Sequence, residues 1–269
     1  LEMRSMGWVP PATTDRLVHT LGEHHLVALG IEQKLLPASV VRQEAQRRAR
    51  VQAETQGFPV GRRQMRALKM QVLEELRARA LTRRRVTRGW IDPRGGWLVA
   101  DSASDRRAEE LVETLRDTLG SLAVQKVDTE RSPSVSMAAW LMESEAPGAF
   151  SIEQDLELQS GEPAKSIVRY RRHPLDGKDV RAHITGGKRP TQLGLTWNGR
   201  ISFVLTEKLQ VKRVEFLEVA AERADEEEID PAEQFDLDFA VMAGELARLL
   251  AELVRELEGR QSSGRAAAA

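Results

Sequence analysis

The sequence predicts an α+β protein in which mixed or antiparallel sheets carry a protruding helical arm. Three stretches predict it. QLGLTWNGRISFVL sets Asn198-Gly199 between two alternating apolar runs, Leu193/Leu195/Trp197 and Ile201/Phe203/Leu205, a hairpin closed by a type I′ turn. GWIDPRGGWLVAD places the turn residues Asp92, Pro93, Gly95 and Gly96 between two further apolar runs. RRQMRALKMQVLEELRA repeats Met65, Leu68, Val72 and Leu76 at three- and four-residue steps, a helix with a narrow apolar stripe.

The remaining elements follow in order. Residues 26–29 are apolar and bounded by Glu23 and Gly30, which reads as a strand. Pro37 opens a helix over 40–56 that is rich in Arg, Gln and Glu, so it packs thinly and projects. GFPVG at 57–61 turns the chain into the second helix, and the two form an antiparallel arm. After the 89–101 hairpin, Ser104 or Asp105 caps a helix whose core face is Leu111, Val112, Leu115 and Leu119, stopped by Gly120. Residues 132–161 form a mixed region around Trp140, broken at Pro147-Gly148. Residues 166–172 alternate Ile167, Arg169 and Arg171 against Val168, Tyr170 and Arg172, a strand with one wet face, and 211–216 give another strand. Residues 235–257 form a long amphipathic helix through Phe239, Met242, Leu246, Leu249, Leu250, Leu253 and Leu257. The expected organisation is a central α+β domain (1–40 and 86–130), a basic arm (41–85) and a C-terminal α+β base (131–269).

The 269 residues suffice for about one to three domains, and 41% hydrophobic content excludes wholesale disorder. Without cysteine there is no disulfide framework, thiolate metal site or catalytic thiol, which fits a reducing cytoplasm. No run approaches the roughly 18 apolar residues of a membrane span. The opening LEMRSMGWVPP lacks a signal-peptide core and does not look like a natural start, so a segment is expected ahead of it. QSSGRAAAA reads as a flexible tail.

A formal net charge of −1 hides strong segregation. Residues 42–90 carry 14 Lys/Arg against 4 Asp/Glu, residues 165–190 carry 8 against 2, and residues 215–258 carry 3 against 15. Between Arg77 and Arg88 no acid interrupts Arg77, Arg79, Arg83, Arg84, Arg85 and Arg88. Guanidiniums without local counter-ions repel one another, and an external polyanion is the simplest explanation. With 4% aromatics and Tyr170 the sole tyrosine, stacking platforms for unpaired bases are scarce, which favours duplex backbone over single strands.

Other chemistry is weaker. GGKRPT at 186–191 departs from a phosphate loop, because Ala182 stands where a glycine is required and Arg189 where Ser or Thr should follow the lysine. Lys188 and Arg189 remain able to touch phosphate as point charges. His24 and His25 alternate across a strand and are poorly placed, with His19, to share a metal. Asp236 and Asp238 on one strand-like face, with the acidic run 225–230, are the only candidates for a Mg²⁺-dependent nuclease, although acids ahead of a helix are also what the helix dipole favours. No cofactor is expected, and no catalytic constellation is visible.

MGWVPP (6–11), KLLPASVV (34–41), WIDPRGGWLVADSAS (90–104), LRDTLGSL (115–122) and FDLDFAVMAGELARLL (235–250) resemble, in this order, blocks of the bacterial RdgC family of recombination-associated proteins. The resemblance covers nearly the whole chain and implies that a strand and a helix precede MGWVPP. It implies a homodimer closed into a ring around double-stranded DNA, nucleoid-associated, non-enzymatic, and restraining RecA. The expected DNA contacts are Arg77, Arg79, Arg83, Arg84, Arg85, Arg88, Arg169, Arg171, Arg172, Lys188 and Arg189, with Lys188 matching a family lysine directly. The ring is expected to close through the acidic C-terminal part, with its long helix, and through a gate at Leu81, Arg172 and His173. Family members carry aromatics where Leu81 and Arg84 stand here, so this gate is expected to be weaker. The alternatives are the nuclease and a module that binds an acidic protein, RecA included, through the basic arm.

Overall fold

The computed structural model describes residues 2–12, 14–161, 165–217 and 230–257. These form two antiparallel five-stranded sheets and six helices, an α+β architecture.

The first sheet runs β1 (Arg4–Val9), β3 (His24–Lys34), β4 (Thr82–Asp92), β5 (Trp97–Ala100), with β2 (Val18–Leu21) paired to the start of β3. Its two faces are covered differently. Leu29 and Ile31 of β3 pack with Trp8 under Leu111 and Val112 of α3 (Asp105–Leu119). A Cβ on Gly89 of β4 would meet Leu111 at 3.0 Å, so glycine there lets helix and sheet close. On the opposite face Leu26 and Trp90 pack under Phe239 and Ala243 of the last helix, α6 (Pro231–Glu256).

The arm is inserted between β3 and β4 as α1 (Ala38–Gln56) and α2 (Arg62–Arg79). Only Ala45, Ala49 and Val72 are buried along it, and neither helix packs substantially on a sheet. Small alanines let the two helices approach. Arg48 then bridges Glu44 at 2.8 Å and Glu75 at 2.7 Å, across the two helices. Hydrogen bonds from Arg47 and Arg48 hold the Glu44 carboxyl down at about 2. The helical arm ends at Arg79, and residues 82–85 belong to β4 rather than to the arm.

The second sheet runs β10 (Val211–Phe216), β9 (Ile201–Thr206), β8 (Lys188–Trp197), β6 (Phe150–Ser160), β7 (Ile167–Tyr170). One face is apolar and buries Leu156, Leu193, Leu195, Trp197, Phe203 and Leu205 against α4 (Pro133–Glu143), α5 (Lys178–Thr185) and the C-terminal half of α6. The other face is polar. Leu250 of α6 touches the cores of both sheets, so this one helix ties them together. The hairpin expected at Asn198-Gly199 is present, with both residues at positive φ (51° and 65°) as a type I′ turn requires. β1, β2 and α5 are additions to the expected element list, and the mixed region 132–161 resolves into α4 and β6. α6 begins at Pro231, capped by the Asp230 side chain, which accepts from the Ala232 N–H at 3.2 Å. The rest of the acidic run, 225–229, lies outside the described residues.

Candidate nucleic-acid interface

The arginine run divides among three environments. Arg77 and Arg79 close α2, where the Arg77 carbonyl accepts from Lys34 Nζ at 2.7 Å. From Thr82 the chain is a strand, and successive side chains point to opposite faces. Arg83 and Arg85 therefore stand with Thr87 and Gly89 on the α3 side. Arg84 and Arg88 stand with Val86 and Trp90 on the α6 side.

The α3 side supplies a counter-ion that sequence neighbours do not. Glu110 of α3 reaches Arg85 at 3.5 Å, Arg4 at 2.9 Å and Arg106 at 3.4 Å. The expectation that Arg85 lacks an acid partner is corrected by this contact, made across 25 residues of sequence. Arg83 lies one row further out and is exposed.

On the α6 side Arg84, Val86 and Arg88 are exposed, because α6 covers only the Leu26/Trp90 end of that face. Their cross-strand partners are Glu32, Gly30 and Ala28, and next to these on β1 lie Ser5, Gly7 and Val9. Of Gly7, Ala28 and Gly30 in this strip only Gly7 is open, since Ala28 is fully buried and Val9 covers Gly30, where a Cβ would meet it at 2.7 Å.

The second basic segment sits on the polar face and edge of the second sheet. Arg169 is bound to Glu157 at 2.6 Å, and Thr191 donates to the same carboxylate at 2.8 Å. Burial opposes ionisation of Glu157, yet these hydrogen bonds lower its pKa below the usual carboxylate range. Arg213, absent from the sequence-based candidates, pairs with Asp155 at 3.4 Å, and these four charged residues line a shallow hollow together with Arg171. This patch is mixed in sign, because Asp155 and Glu157 of β6, outside the 165–190 segment counted as basic, lie within it. Arg172 has φ 51° and its N–H donates to Asp155 at 3.2 Å. Lys188 opens β8 with Nζ 3.3 Å from His183 Nδ1, and Arg189 beside it is exposed.

The expected gate residues are exposed but do not form one contiguous element. Leu81 joins α2 to β4 at 77% exposure, beside the half-exposed Leu35, whose N–H donates to the Leu81 carbonyl at 2.8 Å. Arg172 and His173 follow β7 in the other sheet, where the His173 ring lies 5.4 Å from Tyr170. Burial and a hydrogen bond to Asp179 push the Tyr170 hydroxyl up.

Histidines and acids scatter to separate partners. His19 Nε2 lies 3.0 Å from Asp236, with its ring against Phe235 and Phe239. His24 Nδ1 faces the Trp90 indole N–H at 3.4 Å, and His25 faces Thr20 at 3.0 Å. Asp236 and Asp238 lie on a helix rather than the expected strand-like face, and Asp238 accepts from Gln234 at 2.9 Å one turn back. Among the described residues no group of three or more His, Asp or Glu is arranged to hold a metal ion, and no helix is long and apolar enough to cross a membrane.

Comparison with known proteins agrees with the resemblance in the sequence. A family model described as "RdgC: Putative exonuclease, RdgC" matches residues 1–260. A protein of Cupriavidus pinatubonensis named recombination-associated protein RdgC is 48% identical over 263 residues, 98% of this chain and 88% of that protein. Proteins of the same name from Dechloromonas aromatica (45% over 258 residues, 95% and 85%) and Bordetella parapertussis (44% over 261 residues, 97% and 87%) are similar. The chain therefore belongs to the RdgC family of recombination-associated proteins.

Proposed function

We propose that this chain is a non-enzymatic protein that grips double-stranded DNA by its phosphates, without reading sequence, and so limits access of a RecA-type recombinase on the nucleoid. The observation that carries the reading is the pair Arg84 and Arg88, exposed on the part of the sheet face that α6 leaves uncovered. Exposed guanidiniums suit a phosphate backbone, and contacts to phosphate carry no sequence information. Arg83, Arg79, Arg171, Arg172, Lys188 and Arg189 add contacts, while Arg169 is largely spent on Glu157. As in the family resemblance, the working form is a ring-shaped homodimer. Two exposed apolar spots suit its two contacts: Leu35 with Leu81, and Leu237 with Val241, one turn apart on the outer face of α6.

The test is affinity for a short blunt duplex across a salt series, with Arg83/Arg84/Arg85→Ala alongside. Each lost phosphate contact flattens the slope of log K against log salt by about 0.9, equally on scrambled sequences. An unchanged slope sinks the reading. A RecA pull-down that survives complete DNA removal would point instead to direct binding of an acidic partner.

A further inference from the structure

The α3 side of the first sheet gathers more positive charge than the arginine run contains. Strand register puts Arg4 of β1, Gln33 of β3 and Arg83 of β4 in one cross-strand row, with Met6, Ile31 and Arg85 in a row further under α3. The first turns of α3 bring Arg106 and Glu110 over the same place. Glu110 Oε1 lies 2.9 Å from Arg4 Nη2 and 3.4 Å from Arg106 Nε, and Oε2 lies 3.5 Å from Arg85 Nη2. One carboxylate, its side chain only 15% exposed, thus answers three guanidiniums. The flanking acids do not help, because Glu109 holds Lys126 at 2.9 Å and Glu113 holds Arg116 at 2.6 Å. Arg85 Nε is buried without a hydrogen-bond partner.

Such a cluster is unbalanced. Three guanidiniums bring fifteen N–H donors and three charges to two carboxylate oxygens and one charge. An oxyanion with two free oxygens and one charge, such as a phosphodiester, has the same fork geometry as the carboxylate and can take its place or sit beside it. Arg106 is 82% exposed, so the cluster opens to solvent at the α3 end.

We propose that Arg4, Arg83, Arg85 and Arg106 form a phosphate-binding site and that Glu110 is its resident competitor. The carboxylate keeps the arginines ordered when no phosphate is present and weakens their grip when one arrives. Its duplex arm rests on the DNA-binding reading above; its inorganic-phosphate arm does not.

The decisive variant is Glu110→Gln, which keeps the shape and one acceptor but removes the competing charge. With a short duplex as probe, it should bind roughly tenfold more tightly near 0.1 M salt, with the salt slope steeper by about 0.9. With inorganic phosphate as probe at constant ionic strength, thermal stabilisation should exceed that of the wild type. Arg106→Ala added to Glu110→Gln should reverse both gains. Tightening on duplex alone assigns the site to DNA phosphates. A phosphate response without any duplex binding by the wild type keeps the site and removes the DNA reading. If folded Glu110→Gln shows neither gain, the proposal fails. Should Glu110→Gln not fold, Arg106→Glu in the wild-type background, at an exposed position, adds a second competitor. It must then weaken duplex and phosphate binding, and an unchanged response to both overturns the site.

Discussion

Arg84 and Arg85 are adjacent on β4 and point in opposite directions. Arg85 reaches Glu110 at 3.5 Å on the α3 side, and Arg84 stands exposed across from Glu32 on the other face. Alanine at the two positions should therefore fail differently. Arg84→Ala and Arg88→Ala should each flatten the salt dependence of duplex binding by about 0.9 while changing stability by less than about 0.5 kcal/mol. Arg85→Ala should lower stability by about 1 kcal/mol in urea unfolding, because it removes a hydrogen bond to a charged group. Equal stability losses at all three positions would contradict this division.

Glu252 ties α6 to the second sheet. Its two oxygens accept from the Trp197 indole at 2.9 Å and the Ala149 N–H at 3.0 Å. The Trp197 hydrogen bond is the main reason its carboxyl is held below the ordinary range, against the opposing effect of burial. A carboxyl with a depressed folded pKa adds stability that is present above the unfolded value, about 4.3, and is lost as pH falls through the folded one. Glu252→Gln should cost about 1–2 kcal/mol at neutral pH. Thermal melts of the two proteins should converge in strong acid; a gap that persists there would assign the loss to packing.

Leu81 offers a test of ring closure that does not threaten the fold, since it is 77% exposed. Leu81→Phe should raise, and Leu81→Asp should lower, the fraction of protein retained on a closed circular duplex after a salt wash. Short linear duplex, from which a ring slides off, should show little difference. Identical retention on circles and linear fragments would exclude encirclement.

The nuclease reading is directly checkable. Plasmid incubated with protein and Mg²⁺ or Mn²⁺ should remain supercoiled. Nicking that disappears in Asp236→Asn would overturn the non-enzymatic reading and assign Asp236 a role beyond its contact with His19.

The arm should respond to overpacking on its own. Ala45 is fully buried between α1 and α2, and Ala45→Leu inserts three carbons where only small side chains fit. A cost of about 1–3 kcal/mol corresponds to at least about fivefold faster amide exchange in the arm. The two sheets should keep their protection; uniform acceleration would mean that the arm is part of the main cooperative unit.

Where a local signal was strong, the fold was legible. Asn198-Gly199 announced its hairpin, Gly120 ended α3 with φ 76°, and the Arg, Gln and Glu of α1 foretold a thinly packed arm. β1 was not legible because most of it is exposed and carries no alternation. β6 alternates, but Gln154 interrupts it at the bulge between Ile152 and Leu156. α5 spans 8 residues with Val180 its one buried side chain, too little for a periodic signal. At the candidate interface, composition located the charge but not its partners. Glu110 for Arg85, Glu157 for Arg169 and Asp155 for Arg213 all come from other elements, brought together only by strand register and helix packing.

α6 enters the cores of both sheets and spans 26 residues, a rod of about 39 Å. The two sheets that carry the arginines of β4 and those around β7 are therefore packed on successive stretches of one stiff rod. A flexible linker would let each basic patch find its own anion. A calliper with a set jaw accepts only objects of the right gauge, so changes in α6 far from any arginine should alter which polyanions this protein can hold.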